Sequence, residues 1–114
     1  MHEFSIVSSL LNELEIISRN NGDKKVIRVD LVVGALEHIE PEVLKTVFDQ
    51  AKEETCAGGA ELVIRREEAL VRCRGCGVEY IPEDNVWLCP QCGDVGGDII
   101  QGTEVVIESV YLEE

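Results

Sequence analysis

Four cysteines in two pairs, Cys73-x2-Cys76 and Cys89-x2-Cys92, with twelve residues between the pairs, are the residues whose type and spacing most clearly carry chemistry. Two hairpin knuckles of this kind can gather four sulfurs around one tetrahedral ion. Zn²⁺ suits such a site, because its filled d shell accepts whatever tetrahedron the thiolates offer. Turn chemistry is in place at both knuckles: Gly77 and Gly93 follow the second cysteine of each pair, and Pro90 follows Cys89. A glycine there tolerates positive φ and lets backbone N–H groups turn toward the sulfurs. A disulfide is the alternative. It fits poorly, since nothing at the N-terminus resembles a signal peptide and a CxxC bridge closes only a tiny loop.

A second constellation opens the chain: Met1-His2-Glu3. A bulky second residue such as histidine blocks removal of the initiator methionine, so Met1 is expected to persist with a free α-amine. That end then presents the Met1 amine, the His2 backbone nitrogen and the His2 imidazole, with the Glu3 backbone nitrogen as a fourth donor. Nitrogen donors in a flat array favour Ni²⁺ or Cu²⁺, where the ligand field rewards square-planar geometry and amide deprotonation. A histidine near a free terminus is ordinarily a surface residue. Here a helix beginning near Phe4 anchors it on ordered structure.

The elements that must position these groups follow from hydrophobic periodicity. Ile6, Val7, Leu10, Leu11, Leu14 and Ile17 recur near the 3.6 period and predict a helix from about Phe4 to Arg19, stopped by Asn20, Asn21 and Gly22. Ile27, Val29, Leu31 and Val33 alternate and predict a strand from Lys25 to Val33, closed by Gly34. A second helix is expected from Pro41, whose missing N–H costs nothing at the first helical position, with Val43, Leu44, Val47, Phe48 and Ala51 as its apolar face. Further strands are expected at about 61–71 and 103–112.

The order implies a right-handed parallel crossover between the first two strands. The second and third strands should flank the cysteine module antiparallel, like the legs of a long hairpin. The expected fold is therefore α+β: two helices packed on a small three-stranded mixed sheet, with an inserted zinc-ribbon-like module. Residues 1–71 and 102–114 would form the α/β domain and 72–101 the insertion.

With 114 residues, 45% of them hydrophobic and 4% aromatic, the chain can bury a modest aliphatic core. Its apolar runs are too short to span a bilayer, and reduced-looking cysteines without an export signal suit the cytoplasm. Net charge is −13, and four thiolates around one divalent ion would add two more negative charges. Such a field repels phosphate, so nucleic acid is not an expected partner. The local basic cluster Arg65, Arg66, Arg72 and Arg74 is interrupted by Glu67 and Glu68 and reads as a solvated strand face.

Among the remaining candidates, His38 reads as a solvated loop residue before it reads as an extra metal ligand, and Cys56 as a small buried hydrophobe. Glu37, Glu40, Glu42, Glu53 and Glu54 read as solvated faces that could steer a cation over about 8–10 Å. Tyr80 and Trp87 lie between the knuckles and are expected to pack as a miniature core around the metal. Trp87 is also weighed as a partner hot spot.

Met1-His2-Glu3-Phe4-Ser5 at the extreme start, the Val33-Gly34-x-Leu36 turn, Pro41-Glu42 and the paired CxxC module resemble the HypA family, the nickel metallochaperones of NiFe-hydrogenase maturation. The resemblance runs over essentially the whole chain in the same order. It implies Ni(II) held at the N-terminus by His2, with backbone nitrogens of His2 and Glu3 and the Met1 amine. It also implies structural Zn(II) held by Cys73, Cys76, Cys89 and Cys92. The implied partners are the GTPase HypB and the hydrogenase large subunit precursor, with urease maturation proteins for some relatives. Cys56 falls outside the implied metal set.

The expected function is thus that of a carrier. No Ser–His–Asp set, phosphate-cradling loop or open three-ligand zinc site is visible, and no enzyme is expected. The rival reading is a rubredoxin-like iron electron-transfer protein, since Cys-x2-Cys-Gly and Cys-Pro-x-Cys-Gly also resemble rubredoxin loops. It leaves the terminus and most of the α/β chain without a role. A zinc-ribbon scaffold of transcription or translation machinery is a third reading, and it requires nucleic-acid binding.

Overall fold

The computed structural model describes residues 2–83 and 86–114. Helix α1 spans Glu3–Arg19 and buries Val7, Leu10, Leu14 and Ser18 along one stripe. It starts one residue earlier than periodicity implied, because the Ile6 N–H already donates to the His2 carbonyl at 2.9 Å. Its C-terminus is closed by Asn21 Nδ2 donating to the Ile17 carbonyl and by the Asp23 N–H donating to the Ser18 carbonyl. Helix α2 spans Pro41–Ala51, with proline in the first helical turn as expected, and buries Leu44 and Phe48 completely.

Among the described residues six strands follow the chain: β1 Val26–Gly34, β2 Glu61–Glu67, β3 Leu70–Arg72, β4 Glu79–Tyr80, β5 Asp98–Gln101 and β6 Val105–Leu112. The two helices pack on a small mixed sheet in the order β2-β1-β6. The hairpin-leg picture of the strands flanking the cysteine module is thereby corrected: β1 lies between them, and both pair with it. The Gly34 N–H donates to the Glu104 carbonyl at 2.8 Å and the Glu113 N–H to the Lys25 carbonyl at 2.9 Å. That register makes β1 and β6 antiparallel.

As the central strand, β1 is buried on both faces over Leu31, Val32 and Val33, which a strictly alternating reading misses. Ile27, expected on the inner face, is 51% exposed. It lies near the end of the strand, where its register neighbour Tyr111 is 46% exposed as well.

The second and third expected strands are also revised. The run from 61 to 71 breaks at Glu68–Ala69, and β3 joins a second antiparallel sheet in the order β4-β3-β5. The Gln101 side-chain amide donates to the Glu68 carbonyl at this break. The third strand starts at Val105, because Gly102–Thr103 bend under Ala69: a Cβ on Gly102 would sit 2.7 Å from the Ala69 Cα.

Two compact units emerge. One comprises residues 1–32, 39–65 and 106–114, and the other residues 33–38 and 66–105. Among the described residues no helix is long and apolar enough to cross a membrane.

Candidate metal centre

The second unit has very little hydrophobic material of its own. Its buried cluster is Val71, Cys73, Tyr80 and Cys89, with Val78 and Trp87 packed against it and half-covered. Two of the four buried members are thus cysteines of the CxxC pairs. Tyr80, paired with Val71 across β3 and β4, donates its hydroxyl to the Gly96 carbonyl at 2.9 Å. Trp87 and Tyr80 therefore do form the small core foreseen from the sequence. Trp87 sits between the outward-facing Val86 and Leu88, which are 59% and 52% exposed.

Each knuckle is a tight turn. The Gly77 N–H donates to the Cys73 carbonyl at 2.9 Å and the Gly93 N–H to the Cys89 carbonyl at 3.0 Å. Gly77 and Gly93 adopt φ of 79° and 80°, as the position after each second cysteine requires. The turns point backbone donors inward: the Gly75 N–H to Cys73 Sγ at 3.3 Å and the Cys92 N–H to Cys89 Sγ at 3.5 Å.

All four sulfurs lie within 4.8 Å of one another. The contacts Cys73 Sγ–Cys92 Sγ and Cys76 Sγ–Cys89 Sγ measure 3.5 and 3.6 Å. A tetrahedron with metal–sulfur bonds of about 2.3 Å has edges of about 3.8 Å, and these two contacts are close to that length, so the four cysteines suit Zn²⁺. Disulfides are much shorter, and these sulfurs sit at ligand separation.

The electrostatics of the cage call for a cation. Cys89 is lowered to about 6, first by the Cys92 N–H and then by the Gln91 N–H and neighbouring thiols. Cys92 receives the Asp94 N–H, yet the sulfur of Cys73, burial and the sulfurs of Cys89 and Cys76 push it up to about 12. Four thiolates so close cannot all ionise alone, and a divalent ion removes that penalty. Two sulfurs are buried and two face solvent. With four thiolate ligands the ion has no open position for a substrate, and its role there is structural.

The terminal constellation is arranged differently. His2 caps α1 with exposed, non-helical backbone, and Glu3 is the first helical residue. Glu3 is 9% exposed, and its Oε2 accepts the Glu40 N–H at 3.3 Å, which holds the start of α1 against the start of α2. Its carboxyl lies below the usual carboxylate range, owing first to its own backbone N–H and then to that of Glu40. Met1 lies outside the described residues.

His38 is exposed with φ 53° after the short 3-10 turn Ala35–Glu37. Among the described residues the four cysteines are the only group of three or more His, Cys, Asp or Glu ligand atoms drawn together. His2, Glu3 and His38 belong to no such group. Cys56 is half-buried beyond α2, where burial and the adjacent Glu15 raise its thiol above the ordinary range. Its N–H donates to Glu15 Oε1 at 3.0 Å. The interaction of Glu3 with Glu40 was not foreseen, because the two are far apart in sequence.

The arginine cluster is largely neutralised by ion pairs: Arg65 with Glu108 at 2.8 Å, Arg72 with Glu79 at 2.7 Å and Arg74 with Asp98 at 3.1 Å. These exposed pairs leave little basic surface for a phosphate backbone.

Fold and site together define a small α+β protein with an inserted tetrathiolate metal module. The sequence profile described as hydrogenase/urease nickel incorporation metallochaperone, hypA, matches residues 1–112, and the chain belongs to this family. It is 41% identical over 113 residues to the hydrogenase maturation factor HypA of Aquifex aeolicus, covering 99% of this chain and 98% of that one. It is 38% identical over 114 residues to the same factor of Chlorobium limicola, covering 100% and 98%. The solution structure of the Ni metallochaperone HypA from Helicobacter pylori superposes with a TM-score of 0.73 at 27% identity, over 98% of this chain and 97% of that one.

Proposed function

We propose that this protein carries Ni(II) at its N-terminus and delivers it to the large subunit precursor of NiFe-hydrogenase. The observation that carries the reading is the placement of His2 and Glu3 at the first turn of α1. The first N–H groups of a helix have no intrahelical carbonyl to bond. The Glu3 nitrogen can therefore be given to a metal without breaking the helix ladder. The Glu40 N–H bond holds that turn in place. The donor set is the His2 imidazole, the backbone nitrogens of His2 and Glu3, and the Met1 amine. Such nitrogen donors suit Ni²⁺.

In this reading residues 1–71 and 102–114 form the nickel-binding domain, and 72–101 a zinc-binding insertion held by Cys73, Cys76, Cys89 and Cys92. The protein is a carrier, not an enzyme, and works in the cytoplasm with the GTPase HypB. Urease maturation proteins, in keeping with the family's description, are a second destination. The acidic surface and paired arginines speak against nucleic acid as a partner.

Nickel titration of untagged protein with its native terminus tests the reading by calorimetry. Wild type and Cys73→Ser should both retain the terminal nickel site, and His2→Ala should lose tight binding at least tenfold. One residue inserted before His2 should do the same while leaving every side chain in place. Equal nickel affinity in wild type, His2→Ala and the insertion variant would refute the assignment.

A further inference from the structure

Helices α1 and α2 run side by side in the same direction, with Glu3 near Glu40 at one end and Glu15 near Cys56 at the other. Their outer surfaces do not close over each other. Between them lies a groove of about 220 Å³ lined by Phe4, Val7, Leu11, Val47 and Ala51, with Ser8 and Asn12 on its rim. Among the described residues its lining carries no charged side chain. Phe4, one of only two phenylalanines in the chain, stands 76% exposed at its mouth. Val43, one turn before Val47 on α2, is 47% exposed. Nothing in a folding role requires Phe4 to stand in water. Covering such a side chain is favourable, and here most of its apolar surface stays in water.

We infer that this groove receives an amphipathic helix of a partner protein, with apolar anchors on one face and basic residues flanking them. The size fits: from Phe4 to Asn12 the groove follows α1 for about 12 Å, the length spanned by anchors at i, i+4 and i+7. The sign of the charge fits too. Over the segments of this unit acidic residues outnumber basic ones two to one. Glu15 follows Leu11 by one turn on the same helix face, and Glu53 and Glu54 are exposed just beyond Ala51. Lys52, the nearest cation past α2, is held by Asp49 at 3.1 Å and by the Ala60 carbonyl at 2.8 Å.

A second copy of the chain fits worse, because each carries a net charge of −13. A small molecule also fits worse, since ligand pockets enclose about 300–1,000 Å³. The inference rests on the nickel-carrier reading in one respect. The groove opens two residues from His2, so a helix seated there brings its owner within reach of the terminal metal.

The test uses full-length protein and three synthetic peptides of one length: a helix with Leu and Phe at i, i+4 and i+7 flanked by lysines, its glutamate-flanked counterpart, and a scrambled lysine peptide. The lysine-flanked helix should shift the NMR resonances of Val7, Leu11 and Val47 and weaken at least fivefold at high salt. Phe4→Ser and Val47→Asp, at exposed and half-exposed positions, should each weaken it at least tenfold while circular dichroism stays unchanged. Equal response to all three peptides, shifts away from the groove, or concentration-dependent dimerisation through these residues would overturn the proposal. His2→Ala separates the two readings: it should abolish nickel binding and leave peptide binding intact, so either can fail without the other.

Discussion

Glu3 has a task at the residue scale that its position next to His2 conceals. Its carboxylate is nearly covered and accepts the Glu40 N–H, one of the groups that opens α2 and finds no side-chain cap of its own. Its own backbone N–H and then that of Glu40 hold the folded-state pKa below the ordinary 4.5, so together these bonds add stability above that value and lose it as pH falls through the depressed one. Glu3→Gln keeps the shape and the backbone nitrogen but removes the charge. The variant should melt at a lower temperature at neutral pH, and its deficit should close as acid protonates Glu3 in the wild type. Thermal melts from about pH 7 down to about pH 3 check this, and a deficit independent of pH would rule out a charge-assisted bond.

Where β1 gives way to the 3-10 turn, packing at the scale of the element dictates sequence. Gly34 has ordinary extended dihedrals, so no backbone strain selects glycine there. Contact does: a Cβ would lie 2.3 Å from both the carbonyl carbon and oxygen of Gly102. Gly34 and Leu36 also donate N–H bonds to Glu104 and Gly102. Backbone atoms cannot swing aside as a flexible side chain could. Gly34→Ala should therefore cost about 1–3 kcal/mol in chemical denaturation, with unchanged metal stoichiometry. A cost below a few tenths of a kcal/mol would mean that this close approach relaxes freely.

Stability at the scale of the whole molecule is divided between two sources. The unit built from α1, α2 and most of the mixed sheet has an apolar core around Leu14, Leu44 and Phe48, all fully buried. The buried cluster of the cysteine module has four members among the described residues, and two of them are cysteines of the CxxC pairs. Its fold must then come from the ion. Chelation should collapse the dispersion of the amide signals of the cysteine module and red-shift emission from Trp87, the single tryptophan, while helical ellipticity persists. Acid should do the same, because protons compete for the thiolates and metal affinity falls with pH. Retention of native Trp87 emission after complete zinc removal would show that the module folds without metal.

Amino-acid order alone revealed the four cysteines that come together, both helices and the class of the sheet, because each rests on local rules. Ligand spacing, the 3.6 period, Pro41 and the glycines after Cys76 and Cys92 need only near neighbours in the chain. The family resemblance added the reading of His2. What no local rule contains is which strand lies in the middle. That β1 separates β2 from β6, that the run after Glu67 leaves one sheet for another, and that Ile27 faces water are settled by packing between distant segments. The same holds for Glu3 meeting Glu40 and for Phe4 standing over an open groove. A side chain's partner is chosen by free energy summed over the whole fold, and sequence separation carries no record of it.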